Sequence, residues 1–200
     1  MTTAAASRDD TDSIESRILD AALDQFGQLG IKKTTIEDIA RKAGVDRVTV
    51  YRRIGSRDDV VRAVALREVN AVLTELDDVA ARNDTLADLV ADIFVTVVTR
   101  WREHPLVQRM LTVESDRLLP QLTTEGGAAF TVSTSAGLAA LQQAVERGLL
   151  PDSPDLGTRV EIACRFVHSL ILQPVGSIPL DSDDQMRAFA RQYLVPIVTG

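Results

Sequence analysis

Between residues 47 and 53 the chain places Arg47, Arg52 and Arg53 around Val48, Thr49 and Tyr51. These side chains suit reading a surface better than transforming a substrate. A guanidinium donates two parallel bonds to a guanine edge, valine and threonine methyls meet a thymine methyl, and a tyrosine hydroxyl reaches a phosphate or a base. Other candidate chemistry is thin. Cys164 and His168 lie four apart on a predicted helix, but a metal site needs a third ligand. Glu114 and Asp116 have no partner base or metal ligand nearby in sequence, and His104, before Pro105, reads as a helix-end residue near the C-terminal dipole. There is no phosphate-cradling glycine loop. Neither a catalytic set nor a cofactor nor a metal is expected.

Groove-reading side chains need a helix that presents them and a second that holds it. The stretch Thr34 to Arg57 supplies both. Thr35 with Asp38, or Thr34 with Glu37, can form a capping box at the start of a first helix, along which Ile36, Ile39, Ala40 and Ala43 recur on one face. Gly44 follows the last periodic position, where a left-handed residue ends a helix without steric cost. Asp46 is a good N-cap for a second helix over about Arg47 to Ile54. Val50 and Ile54, four apart, pack inward; Val48 and Arg52 lie on roughly the opposite side, with Arg47, Thr49, Tyr51 and Arg53 on the flanks. The pattern is that of a helix-turn-helix addressing a major groove.

Charge supports this placement. Ile31 to Arg57 carries eight basic residues (Lys32, Lys33, Arg41, Lys42, Arg47, Arg52, Arg53, Arg57) against three acidic ones (Glu37, Asp38, Asp46), a local balance of +5. The whole chain is at −7, so the rest sums to −12. One end is built to face a polyanion and the remainder to avoid it. Lys32 and Lys33 fall in the loop before the first of these helices, where they either touch the DNA backbone or keep the loop soluble.

The ordered set Ile18, Ala21, Ala22, Phe26, Gly30, Thr34, Thr35, Ile39, Ala40, Ala43, Gly44, Val45, Tyr51 and Arg57 resembles the DNA-binding domain of TetR-type transcriptional regulators over about residues 14 to 66. The resemblance implies phosphate contacts at Thr35, Tyr51 and Arg57. It leaves the base readers open; Arg47 and Arg52 are the candidates from position on the helix. Three departures from the pattern stand out: Ile54 replaces a usual aromatic, Val48 a usual glycine or small residue, and Arg57 a frequent lysine, exchanging a point charge for a fork.

Two hundred residues, 45% hydrophobic, suffice for a small domain joined to a larger one with a real core. Residues 1–11 read as a disordered tail, 12–57 as the DNA-binding domain and 58–200 as an effector-binding and dimerisation domain. Asp12 and Glu15 form a capping pair for the first helix, and Ser56 caps a long one from about residue 57 to Ala81. Further helices are expected from Thr85 to Glu103, irregularly from Leu106 to Leu119, from Ala129 to Gly148, after Ser153-Pro154, and after Asp181 or Ser182, the last perturbed by Pro196. No strand alternation competes. The expected fold is all-α with about nine helices. One cysteine excludes an intrachain disulfide, and the absence of a membrane span or a signal peptide gives a cytoplasmic expectation.

The reading is a ligand-responsive repressor released from a pseudo-palindromic DNA operator by a small, mostly apolar effector, and not an enzyme. The effector chamber is expected among Phe94, Val98, Trp101, Met110 and Phe130. The resemblance implies a homodimer through a four-helix interface, with Phe166, Leu170, Phe189 and Tyr193 on the pairing helices. A regulator answering to a protein partner and an enzyme with a regulator-like head, using Cys164, His168 or Glu114 with Asp116, are the alternatives.

Overall fold

Hydrophobic residues spaced three and four apart fold here as helices throughout. In the computed structural model, which describes residues 3–108 and 127–200, the order is α1 (Thr3–Leu29), α2 (Ile36–Ala43), α3 (Arg47–Arg53), α4 (Arg57–Arg82), α5 (Leu86–Glu103), α6 (Gly127–Glu146), α7 (Leu156–Leu172), α8 (Asp183–Phe189), a π turn (Ala190–Leu194) and α9 (Val195–Thr199). No strand occurs among the described residues, in keeping with the all-α expectation. Met110, Glu114 and Asp116 lie outside the described residues, as does most of the helix expected between Leu106 and Leu119.

The chain divides into two compact units, Met1–Asn70 with Pro105–Arg117, and Ala71–His104 with Leu118–Gly200. The first is built on the apolar face of α1, where Ile18, Ala22 and Phe26 have no exposed surface. Ile36, Ile39, Ala40 and Ala43 of α2 and Val50 of α3 are buried with them. Removing a side chain such as Phe26 from water contributes about 1.5–3 kcal/mol. Val60 and Val64, in the first turns of α4, are also fully buried, and Arg67 pairs with Asp20 of α1 at 2.8 Å. The units consequently part inside α4, after Asn70, and not at its start.

The second unit is organised around α5. Leu89, Val90, Ala91, Phe94, Val95 and Val98 form its buried face. They share a core with Leu141 and Ala144 of α6, Val160 of α7, Met186 and Phe189 of α8, and Leu194 and Val198 beyond. One polar group enters the interior with partners: the Asn83 amide donates to Val79 O at 2.9 Å and to Asp92 Oδ2 at 3.1 Å, and Asp92 also pairs with Arg187. Arg147, just past α6, donates to Ala80 O at 2.6 Å and Asn83 O at 2.7 Å, satisfying carbonyls at the end of α4 that the helix itself leaves open.

Two boundaries differ from expectation, and the perturbation expected at Pro196 takes a particular form. α1 is helical from Thr3, ahead of the Asp12–Glu15 pair, because Ala4, Ala5 and Ala6 carry the highest intrinsic helix preference. α7 begins after Asp155, since the Ser153 hydroxyl bonds the Asp155 carboxylate instead of capping the backbone. The last helix is divided: Val195 N–H donates to Ala190 O, five residues back. Pro196 has no N–H and crowds the carbonyl four residues before it, so the preceding turn widens.

Candidate nucleic-acid interface

The two short helices are fixed by side chains read directly from their flanks. Thr35 accepts from Asp38 N–H at 3.2 Å while Asp38 Oδ2 accepts from Thr35 N–H at 3.1 Å, a complete capping box. Gly44 closes α2 at φ 67°, and its N–H together with that of Val45 returns to the carbonyls of the last turn. Asp46 caps α3: Oδ1 accepts from Thr49 N–H at 2.7 Å and Oδ2 from the Thr49 hydroxyl at 3.1 Å. The hydrogen bond from Thr49 N–H holds the Asp46 carboxyl below the usual carboxylate range, and that from the Thr35 hydroxyl does the same for Asp38. Both caps stay ionised at neutral pH.

So fixed, α3 buries Val50 completely and turns the opposite face outward. Val48 is 69% exposed and Tyr51 48%, with Arg52 exposed beside them. Arg47 reaches over the Tyr51 ring, 5.9 Å from its centroid, and stands 3.9 Å from Glu37. Arg53 and Thr49 are half-buried on the flanks, and Thr49 spends its hydroxyl on Asp46. The presented edge is thus an apolar valine between a tyrosine and two arginines. A groove of about 410 Å³ lies along it, lined by Ala40, Arg41, Val45, Arg47 and Val48 among others. Arg41 is paired with Asp38 at 2.6 Å and Lys42 with Asp24, exposed contacts of small energetic value.

The three residues expected on phosphate are placed differently from one another. Tyr51 points outward. Thr35 is exposed, but its hydroxyl donates to Asp38 Oδ2 at 2.6 Å within the capping box. Arg57 is turned inward: Nε donates to Thr34 O at 2.9 Å and Nη2 to Ile31 O. Arg17 was not singled out from sequence, yet its Nη2 donates to Ala43 O at 2.5 Å and approaches Gly44 O at 3.4 Å, capping α2 at the turn. The open carbonyls at the end of α2 signal that some donor is needed. Nothing in the spacing says that it comes from α1.

Elsewhere, Phe94 and Val98 lie in the core, Phe94 with its ring 5.5 Å from that of Phe189. Trp101 is half-buried and its Nε1 has no hydrogen-bond partner among the described residues. Phe130 is half-buried, 5.8 Å from the His168 ring and under Arg165 at 5.0 Å. Phe189 is likewise a core residue, stacked on Phe166 and touching Tyr193. Phe166 and Leu170 are half-buried, and Tyr193 is 51% exposed. Burial, with Glu161 adding to it, pushes the Cys164 thiol up to about 11, so it is protonated and poorly nucleophilic at neutral pH. No cluster of three metal-ligating side chains occurs among the described residues, and no helix among them is long and apolar enough to cross a membrane. His104 ends α5, as expected.

A capped pair of short helices, closed by a left-handed glycine and presenting a basic outer face, defines a helix-turn-helix protein that binds DNA. The family model for bacterial regulatory proteins of the tetR family matches residues 18–64. An HTH-type transcriptional regulator of Mycobacterium tuberculosis strain H37Rv, itself uncharacterized, is 29% identical over 94% of this chain and 87% of its own. The fold is shared with the TetR family repressor AlkX of Dietzia sp. strain DQ12-45-1b, implicated in biodegradation of n-alkanes (TM-score 0.67, 22% identity, 92% of this chain and 94% of that one). It is also shared with RolR in complex with resorcinol (TM-score 0.62, 17% identity, 96% and 95%). Residues 18–64 are a DNA-binding domain of the tetR family of bacterial regulatory proteins, a family of regulators and not of enzymes, and the chain is a DNA-binding transcriptional regulator.

Proposed function

We propose that the protein is a homodimeric repressor that leaves a pseudo-palindromic operator when a small, mostly apolar effector binds. The observation that carries the reading is the outer edge of α3, where Val48, Tyr51 and Arg52 are exposed beside Arg47 on a fully buried Val50. In this reading Arg47 and Arg52 meet base edges, Val48 and the Thr49 methyl meet thymine, and Tyr51 and Arg53 grip the flanking backbone. Residues 12–57 are the DNA-binding part, and 58–200 bind effector and pair the protomers. One short helix reads too few bases for a unique site, and a two-fold pair of them calls for a two-fold operator.

The pairing surface is assigned to the outer faces of α7 and of the segment from α8 through the π turn, with Phe166, Leu170 and Tyr193; exposed Ile162 extends the same apolar surface. Phe189 supports that surface from beneath. The effector site is assigned to the C-terminal end of α5 and its surroundings, with Trp101 and Phe130 as well as the buried Phe94 and Val98 of the same helix as Trp101. Trp101 Nε1 is a buried donor with no partner among the described residues, and a donor left so costs free energy that a ligand acceptor would return. An apolar body with one acceptor oxygen fits, and resorcinol on RolR and the n-alkane connection of AlkX lean the same way.

The test is a gel shift with DNA flanking the protein's own gene, followed by a screen of phenols and medium-chain alkane derivatives for release. Specific retardation that such a compound reverses, with a change in Trp101 fluorescence, is the expected result. No retardation of that DNA, or release with no change at Trp101, would count against it.

A further inference from the structure

We propose that Arg57 is a positioning residue for DNA recognition, anchoring the α1–α2 loop from within instead of contacting phosphate. α1 stops at Gly30, whose φ of 87° reverses the chain, and α2 begins after Thr35. Between them the backbone must satisfy its polar groups without a helix. The buried Thr34 hydroxyl donates to Gly30 O at 2.8 Å, and Thr34 N–H donates to the same carbonyl at 3.2 Å. The carbonyls of Ile31 and Thr34 point instead toward the start of α4, where the Arg57 fork takes both, through Nη2 and Nε. A planar guanidinium can span two carbonyls at fixed separation; an ammonium is a point donor and does not hold that geometry.

What the fork holds matters for recognition. The loop exposes Lys32 and Lys33, and its last residue, Thr35, caps α2. α2 in turn sets α3 through the Gly44 turn. Arg57 therefore acts on DNA through the placement of these groups, with Nε and Nη2 committed to the protein. The inference rests on the docking of α3 proposed above.

Wild-type protein, Arg57→Lys and Arg57→Ala are compared on two duplexes: the one that wild-type enriches from a random-sequence pool, and a scrambled duplex of equal length. Failure of wild-type to enrich any duplex would sink the docking model itself. Given enrichment, Arg57→Lys keeps the charge and is expected to bind the enriched duplex about tenfold more weakly, the value of lost charged hydrogen bonds. Its affinity for the scrambled duplex and its salt slope should match wild-type, while amide exchange across residues 30–35 quickens. Wild-type affinity in Arg57→Lys overturns the proposal. So does an Arg57→Ala that loses affinity equally on both duplexes, whether its salt slope falls by about 1, as for a direct phosphate contact, or its loss simply follows a lower melting midpoint. Should Arg57→Ala not fold, Arg57→Lys decides alone.

Discussion

The side chain with most to say about specificity is Val48, because it is the most exposed residue on α3 with an apolar tip and follows Arg47 and precedes Arg52 by one helical turn. Replacing Arg52 by alanine should cost about 1–3 kcal/mol of binding and relax base preference at one operator position. Val48→Ala should leave the salt slope unchanged and lose discrimination only where a thymine methyl is read, which thymine-to-uracil exchange in the operator would locate. Both are checked by fluorescence anisotropy titrations across a set of single-base operator variants. Uniform weakening on every variant would place these residues on the backbone. At this scale the sequence was informative for outward-facing groups, since position on a short amphipathic helix decides exposure. It was uninformative for Arg57 and Arg17, whose partners lie more than twenty residues away and are set by the packing of α1, α2 and α4.

At the scale of elements, the helices share one device. α2, α3, α4 and α5 each begin with an aspartate carboxylate joined to a Thr or Ser: Asp38 with Thr35, Asp46 with Thr49, Asp59 with Ser56, and Asp88 with Thr85. Hydrogen bonds from these partners lower all four carboxyls from the usual 3.8. For an acid whose folded value is depressed, the stabilisation is complete above the unfolded value and is lost as pH falls through the folded one. Thermal stability should therefore be insensitive to these groups from neutral pH down to about 4 and decline below 3.8, as melting followed by circular dichroism will show. Thr85→Ala should cost about 0.5–2 kcal/mol in urea unfolding. Gly44→Ala should cost about 1–2 kcal/mol for the left-handed backbone, and a Cβ there would sit 3.1 Å from Arg17 Nη2. These starts and stops were legible because caps are local. The late start of α7 and the π turn were not: a side chain captured by a neighbouring carboxylate, and a turn widened ahead of a proline, depend on which of several local bonds wins.

For the whole molecule, the all-helical fold could be read from periodicity and the DNA-binding end from local charge, whereas the sorting of aromatics between core and surface could not. Phe94 and Phe189 share the same helical spacing as Trp101 and Tyr193, and only packing separates them. The proposed pair of protomers predicts a stable dimer in sedimentation at micromolar concentration, which paired charges placed at Phe166 and Tyr193 (Phe166→Glu, Tyr193→Glu) should convert to monomer with loss of operator binding. A wild-type monomer would defeat it. The close approach of α6 to α7 carries one more consequence. A Cβ on Gly137 would lie 3.2 Å from Val160 Cγ1 and 3.7 Å from Cys164 Sγ, so the lone thiol sits at a tight seam with its ionisation suppressed. The residue is partly exposed, so alkylation there is slowed and quickens as the seam parts, which makes Cys164 a clock: the rate of iodoacetamide uptake follows openings of α6 from α7. An effector that tightens this unit should slow the clock, one that loosens it should speed it, and mass spectrometry at intervals reads the time.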